Sequence, residues 1–270
     1  MSPPPPRGAK SRALLTVERL RELYPAVTEL EHKDPFQLVI ATILSAQTTD
    51  RSVNLVTPEL FRRYPAPADL AAADPADVEK LIKPTGFFRL KTRRIIDASR
   101  RMVELFGGIV PNTLDDLVKL PGIGRKTANV ILGVGFGVPG FAVDTHVTRL
   151  TNRLGLVRTR DPVKIEHQVC KMVPEEEWTG LSLRLILHGR RICIARRPLC
   201  EECVLNDFCP SSTTRPKRLA SPPRREVALA SPPRGEVALA SPPRGEVALA
   251  SPPCGEVARR AGGAKRTRNP

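Results

Sequence analysis

The chain has 270 residues and a net charge of +15, and that charge sits mostly in its ends. Residues 211–270 carry 12 basic and four acidic groups, residues 1–12 carry three basic groups and no acid, and 14 of the 28 prolines lie in these two stretches. No apolar run reaches the roughly 18 residues a membrane span needs, and Met1-Ser2-Pro3-Pro4-Pro5-Pro6 lacks the charged-then-apolar order of a secretory signal, which excludes membrane-spanning and secreted classes.

Residues 1–12 read as a disordered, basic, proline-rich lead-in. Leu14, Val17, Leu20, Leu23 and Tyr24 recur at helical spacing and predict a first helix, closed by Pro25. The stretch 35–47 is apolar nearly all round, through Phe36, Leu38, Val39, Ile40, Ile43 and Leu44, which predicts a buried central helix. Further helices are expected over about 51–63, 75–83, 89–106, 112–119, 125–135, 145–154, 161–173 and 175–190. Asp50, Asp74-Pro75, Asn112 and Asp161-Pro162 mark starts, and Gly86 and Gly107-Gly108 mark stops. No run alternates with period two, so the fold class is all-α.

Residues 219–258 are four copies of a decapeptide, Leu-Ala-Ser-Pro-Pro-X-X-Glu-Val-Ala, with Cys254 where the other copies hold arginine. A proline pair every ten residues precludes a continuous helix, and two short apolar groups per unit cannot offset the entropy of ordering. The tail 211–270 therefore reads as low-complexity and disordered: an expanded repeat, or a basic arm that raises DNA affinity through phosphate neutralisation.

Four features carry chemistry. First, a helix running into Leu120-Pro121-Gly122-Ile123-Gly124, with a second helix starting at once, is the helix-hairpin-helix pattern. Gly122 and Gly124 allow the tight turn, amides at a helix N-terminus suit a DNA phosphate, and Arg125 beside them is a further candidate DNA contact. Second, Lys126 lies in the first turn of that second helix, where the helix dipole and neighbouring Arg125 disfavour its charge. An amine nucleophile needs that, because only the neutral form attacks. Third, Asp144 reads as an N-cap and as a partner for Lys126. The helix from Lys126 to Gly135 runs about 14 Å, and the return from Gly135 to Val143 can span roughly 30 Å, enough to bring the carboxylate back. Fourth, Cys193-x6-Cys200-x2-Cys203-x5-Cys209 can enclose one metal centre whose binding energy fixes the loop. Spacing alone leaves zinc and an iron–sulfur cluster both open. Arg190, Arg191, Arg196 and Arg197 beside this ladder are candidate phosphate contacts. His146 reads as a structural helix residue and Cys170 as a core thiol.

Over roughly 13–210 the chain resembles the endonuclease III family of helix-hairpin-helix DNA glycosylases. The resemblance rests on Leu44-Ser45-Ala46-Gln47-Thr48-Thr49-Asp50, Leu120-Pro121-Gly122-Ile123-Gly124-Arg125-Lys126-Thr127-Ala128-Asn129, Val143-Asp144-Thr145-His146, Leu187-His188-Gly189-Arg190 and the full cysteine ladder. It implies a six-helix barrel domain over 28–138 that contains the hairpin. It also implies an iron–sulfur domain built from 13–27 and 139–210, with a [4Fe–4S] cluster on Cys193, Cys200, Cys203 and Cys209. The activity implied is that of a bifunctional DNA glycosylase and AP lyase of base-excision repair. Such an enzyme excises oxidised pyrimidines through a lysine Schiff base and cuts the strand 3′ to the abasic site by β-elimination. Lys126 corresponds to the nucleophile, Asp144 to its acid/base partner, Gln47 to the residue that enters the duplex, and Phe87 to the tip of the wedge loop 85–89. Leu90 departs from the family, which commonly has a small polar residue there.

The partner implied is double-stranded DNA bearing oxidised pyrimidines or abasic sites, bound by a monomer in the nucleoid-containing cytoplasm of a prokaryote. Two alternatives make different predictions. An adenine glycosylase of the same superfamily would lack the hairpin lysine and add a folded C-terminal recognition domain. A non-catalytic DNA-damage-binding module would bind lesions without releasing bases.

Overall fold

The computed structural model of the chain describes residues 8–214, all within Met1–Arg215, the first of two units into which the chain divides. Residues 1–7, the decapeptide repeat and Cys254 lie outside the described residues. Among the described residues there are eleven α-helices and no strand, as an all-α pattern requires. In chain order they are α1 (Ala9–Leu23), α2 (Pro35–Leu44), α3 (Asp50–Arg63), α4 (Pro67–Ala71), α5 (Pro75–Ile82), α6 (Phe88–Phe106), α7 (Leu114–Leu117), α8 (Arg125–Gly135), α9 (Thr145–Arg153), α10 (Pro162–Cys170) and α11 (Trp178–Arg191). Among these residues no helix is long and apolar enough to cross a membrane.

Side-chain oxygens of Asp34, Thr49, Asp74, Thr113, Asp144 and Asp161 cap first-turn amides of α2, α3, α5, α7, α9 and α10. Thr49 and Thr113, rather than the expected Asp50 and Asn112, supply two of these caps. One contiguous apolar core is drawn wholly from residues between Leu30 and Leu132. At its centre lies α2, with Leu38, Val39, Ile40, Ala41 and Leu44 fully enclosed and α3, α6 and α8 packed around it. Ala13, Val17 and Leu20 of α1, Val147 and Leu150 of α9 and Leu181 and Leu185 of α11 are buried outside that core, because α1 and α9 pack on α11.

Four expectations need correction. The first helix begins at Ala9, inside the stretch read as disordered, because the Arg12 guanidinium donates to the carbonyls of Leu154 at 2.8 Å and Gly155 at 2.7 Å. The central helix ends at Leu44, three residues early, where the Ser45 hydroxyl turns back to the Thr42 carbonyl at 2.9 Å. Helix α4 was not foreseen: five residues are too few to show a period, and Asp69 holds its start by accepting from the Ala66 amide at 3.0 Å. The ordered chain runs to at least Thr214, since Asn206 bonds both Ser212 and, at 3.0 Å, the Thr214 hydroxyl.

Helices α8 and α11 meet at Gly133, where a Cβ would stand 2.3 Å from the Thr179 hydroxyl and 2.4 Å from its methyl. Thr179 is short and β-branched and cannot swing clear. Gly133→Ala is therefore expected to destabilise the protein by about 1–3 kcal/mol through overpacking, read as a lowered thermal midpoint.

Candidate nucleic-acid interface and metal centre

Leu120 is buried and Gly122 turns the chain at φ +87°, a conformation only glycine adopts without strain. Gly124 follows as the N-cap residue of α8 and is exposed, so the first-turn amides, which have no partner inside the helix, face outward. Lys126 stands exposed in that turn. The return segment then backtracks along α8: the Val138 amide donates to the Leu132 carbonyl at 3.0 Å. Next Gly140 presses on Asn129, whose amide nitrogen meets the Phe141 carbonyl at 3.4 Å. The same course leads the chain from Gly135 back along α8 as far as Asn129. Phe141, Ala142 and Val143 are buried, the Ser182 hydroxyl anchors the Ala142 carbonyl at 2.8 Å, and Asp144 caps α9 by accepting from the Val147 amide at 2.8 Å. Its side chain lines a cleft of about 620 Å³ together with Thr148, Arg149, Arg153 and Arg160.

Gln47 and Phe87 are both exposed, and they are the two non-glycine residues with positive φ among the described residues, at +56° and +47°. Such conformations cost about 1 kcal/mol or more each and persist only where the surroundings enforce them. The two loops that carry them are joined by a group the sequence reading missed. Lys91 of α6 is 3% exposed, and its Nζ donates to the Thr48 hydroxyl at 2.5 Å and the Thr85 carbonyl at 2.8 Å. The Thr48 hydroxyl donates in turn to the Thr85 carbonyl. Burial pulls the Lys91 amine below the usual lysine range. The legible signal was its register four residues before Ile95, which puts it on the inward stripe of α6.

The basic residues divide into two sets. Arg196 and Arg197 are exposed on the loop between the first two cysteines, free to meet phosphate. Arg125, expected as a phosphate contact, has its guanidinium fork on Glu166, with both bonds at 2.8 Å. Asn129 adds a third donor to that carboxylate at 3.3 Å. Glu166 is 6% exposed, and this pair holds α10 against the hairpin helix. Arg125→Ala is expected to cost about 3 kcal/mol of stability by stranding a buried carboxylate, while the salt dependence of DNA binding keeps its slope to within about one phosphate contact.

Arg190 is likewise engaged, donating to Glu29 at 2.6 Å and Asp50 at 3.0 Å. Burial disfavours its charge, but the bond to Asp50 and the charges of Asp50, Glu29 and Asp144 outweigh that and keep it protonated. It ties the end of α11 to the start of α3, three residues past Gln47. His146 packs on Gly189 and bonds Arg149 at 3.1 Å, a structural role as expected. Cys170 is a buried core thiol.

Cys193, Cys200, Cys203 and Cys209 line one small cavity. Among the described residues no three histidine, cysteine or acidic side chains converge tightly enough for a single-ion site. Burial pushes the Cys203 thiol up to about 12, opposed by the Leu205 amide and reinforced by the other three sulfurs. Burial raises Cys209 as well. Burial also raises Cys200, but the Thr213 amide and hydroxyl, the Arg153 charge and Ser212 outweigh it and bring it below the ordinary range. Four thiolates this close need a cationic centre between them, and the donor set fits a four-cysteine [4Fe–4S] cluster.

Hydrogen bonds to sulfur are already in place, from Arg153 to Cys193 at 3.3 Å and from the Leu205 amide to Cys203 at 3.4 Å. His188 Nε2 lies 3.3 Å from the Cys203 sulfur and its Nδ1 lies 3.2 Å from the Tyr24 hydroxyl. Burial lowers His188 to about 4, leaving the ring neutral. A ligating thiolate can only accept, so Nε2 carries the proton and Tyr24 donates to Nδ1.

The family model of the HhH-GPD superfamily base excision DNA repair protein matches residues 40–175, and that of the iron-sulfur binding domain of endonuclease III matches 193–209. An endonuclease III of Synechocystis sp. is 49% identical over 205 residues, spanning 75% of this chain and 94% of its own. One of Escherichia coli K12 is 41% identical over 201 residues, spanning 74% and 95%. Among solved structures, a non-covalent endonuclease III–DNA complex superposes with a TM-score of 0.71 at 41% identity, covering 75% of this chain and 95% of that one. A trapped endonuclease III–DNA covalent intermediate superposes with a TM-score of 0.70 at 40% identity, covering 75% and 96%.

Proposed function

The chain belongs to the endonuclease III family, and from that premise we propose that it excises oxidised pyrimidines from duplex DNA with Lys126 as nucleophile and Asp144 as the group that moves its protons. The protein is a bifunctional DNA glycosylase and AP lyase and carries a [4Fe–4S] cluster. The observation that supports the assignment of roles is the course of residues 138–141 back along α8 toward its N-terminal turn, the turn that carries Lys126.

The duplex bends, and the damaged nucleotide leaves the stack at a cost of a few kcal/mol, least for pairs already weakened by damage. Gln47 and Phe87 fill the space it vacates. The hairpin amides at Gly122 and Gly124 and the exposed Arg196 and Arg197 hold phosphates without reading sequence. The uncharged Lys126 Nζ attacks C1′ of the deoxyribose, and the C1′–base bond breaks with its electron pair leaving on the base. Asp144 stabilises the cationic sugar and accepts the proton that Nζ loses. The C1′–O4′ bond then breaks, O4′ taking up a proton as the nitrogen lone pair forms the C1′=N imine; loss of a C2′ proton forms the C2′=C3′ double bond, and the 3′ phosphate departs with the electron pair of the C3′–O bond. The cluster's chemistry is structural, since its binding energy fixes the loop 193–209 and no step transfers a net electron.

The domain division carried by this reading is a barrel over 28–138 and a cluster domain over 13–27 with 139–210, and the apolar core drawn from residues between Leu30 and Leu132 supports it. The protein acts as a monomer in the cytoplasm. The test is borohydride reduction of the full chain on a duplex carrying one thymine glycol. A covalent protein–DNA adduct and a β-eliminated strand are the expected products. Base release with an intact strand and no adduct would make it a water-driven hydrolase instead.

A further inference from the structure

A buried lysine joins two loops that are 37 residues apart in sequence. Lys91 Nζ donates to the hydroxyl of Thr48, the residue after Gln47, and to the carbonyl of Thr85, two residues before Phe87. The Thr48 hydroxyl closes the triangle by donating to the same carbonyl. Among the described residues no carboxylate pairs with Lys91, although such a partner is what normally offsets a buried amine. Gln47 and Phe87, one and two residues from these anchors, both hold positive φ and both present their side chains to solvent.

We propose that Lys91 is a positioning residue for base extrusion, a clamp that fixes the Gln47 and Phe87 tips relative to one another so that they insert into the duplex as one rigid wedge. The proposal rests on the reading of Gln47 and Phe87 as the inserting residues. A wedge works by being preorganised: two tips that must fill one gap between bases lose effectiveness when their spacing fluctuates, and a misplacement of about 1 Å can cost 10²-fold in rate. Thr48 needs its hydroxyl for the same reason, since it both accepts from the amine and donates to Thr85. Lys91 itself touches neither DNA nor the reacting atoms.

The test compares single-turnover excision of thymine glycol by full-length, cluster-loaded protein from two duplexes, one with the lesion fully paired and one with it opposite a mismatched base. Extrusion from the mismatch meets less resistance. Lys91→Met is expected to slow excision from the paired duplex by about tenfold to a hundredfold and from the mismatched duplex by under about threefold. Thr48→Val, which keeps the side-chain volume and removes the hydroxyl, is expected to show the same pairing-dependent loss. It carries the test if Lys91→Met loses the cluster's visible absorbance or its cooperative melting. Phe87→Ala and Gln47→Ala are measured alongside. If they lose rate selectively on the paired duplex while Lys91→Met and Thr48→Val do not, or lose it equally on both, the clamp is overturned alone. If the tip variants themselves show no pairing dependence, the insertion reading fails and the clamp falls with it.

Discussion

Lys126→Ala is expected to leave no borohydride-trapped adduct and to slow strand cleavage by about 10⁴-fold or more, the order found when a covalent nucleophile is removed. The loss corresponds to about 5.5 kcal/mol of transition-state stabilisation. Folding should not suffer. Lys126 is exposed in the first turn of α8, where removing a cation from the positive end of the helix dipole is neutral or stabilising by about 0.5 kcal/mol. Lys126→Arg sharpens the result, since it keeps the positive charge for phosphate attraction but cannot form an imine. If charge alone mattered, arginine would rescue cleavage. An undiminished adduct in either variant would move the nucleophile elsewhere.

The second large effect belongs to Asp144. The carboxylate caps α9 through the Val147 amide at 2.8 Å and, in the role proposed for it, moves protons for Lys126, two jobs that substitution can separate. Asparagine caps a helix as well as aspartate does but cannot take up a proton. Asp144→Asn is therefore expected to melt within a degree or two of the parent while excision slows by about 10²–10⁴-fold. Asp144→Ala is expected to lose a similar rate and, in addition, about 1 kcal/mol of stability with the cap. Equal activity of the parent and the asparagine variant would reduce Asp144 to a helix cap.

Most of this architecture was legible because it is local. The helical period of Leu14 to Tyr24, the enclosed run from Phe36 to Leu44, the Gly122–Gly124 turn and the cysteine ladder are each contained in a few residues. What escaped was non-local or too short. Helix α4 has five residues and no room for a period. The partners of Arg125 and Arg190 lie 41, 140 and 161 residues away, so sequence could show their charge but not where it is spent. Lys91 hid among Arg89, Arg93 and Arg94, and only its register with Ile95 and Met102 sets it apart as inward-facing. The left-handed backbone at Gln47 was equally hidden, because an apolar run gives no sign that its helix stops at Leu44.

Helix α9 begins beside Asp144 and ends at Arg153. Arg149 and Arg153 on it grip the carbonyls of Cys193, Ile194 and Ala195. The carboxylate and the sulfur-bearing loop are thus two ends of one stiff lever. Substitutions at Arg149 and Arg153, which share Cys193 as a partner, should accordingly be non-additive, with a coupling of about 0.5–3 kcal/mol in a double-mutant cycle.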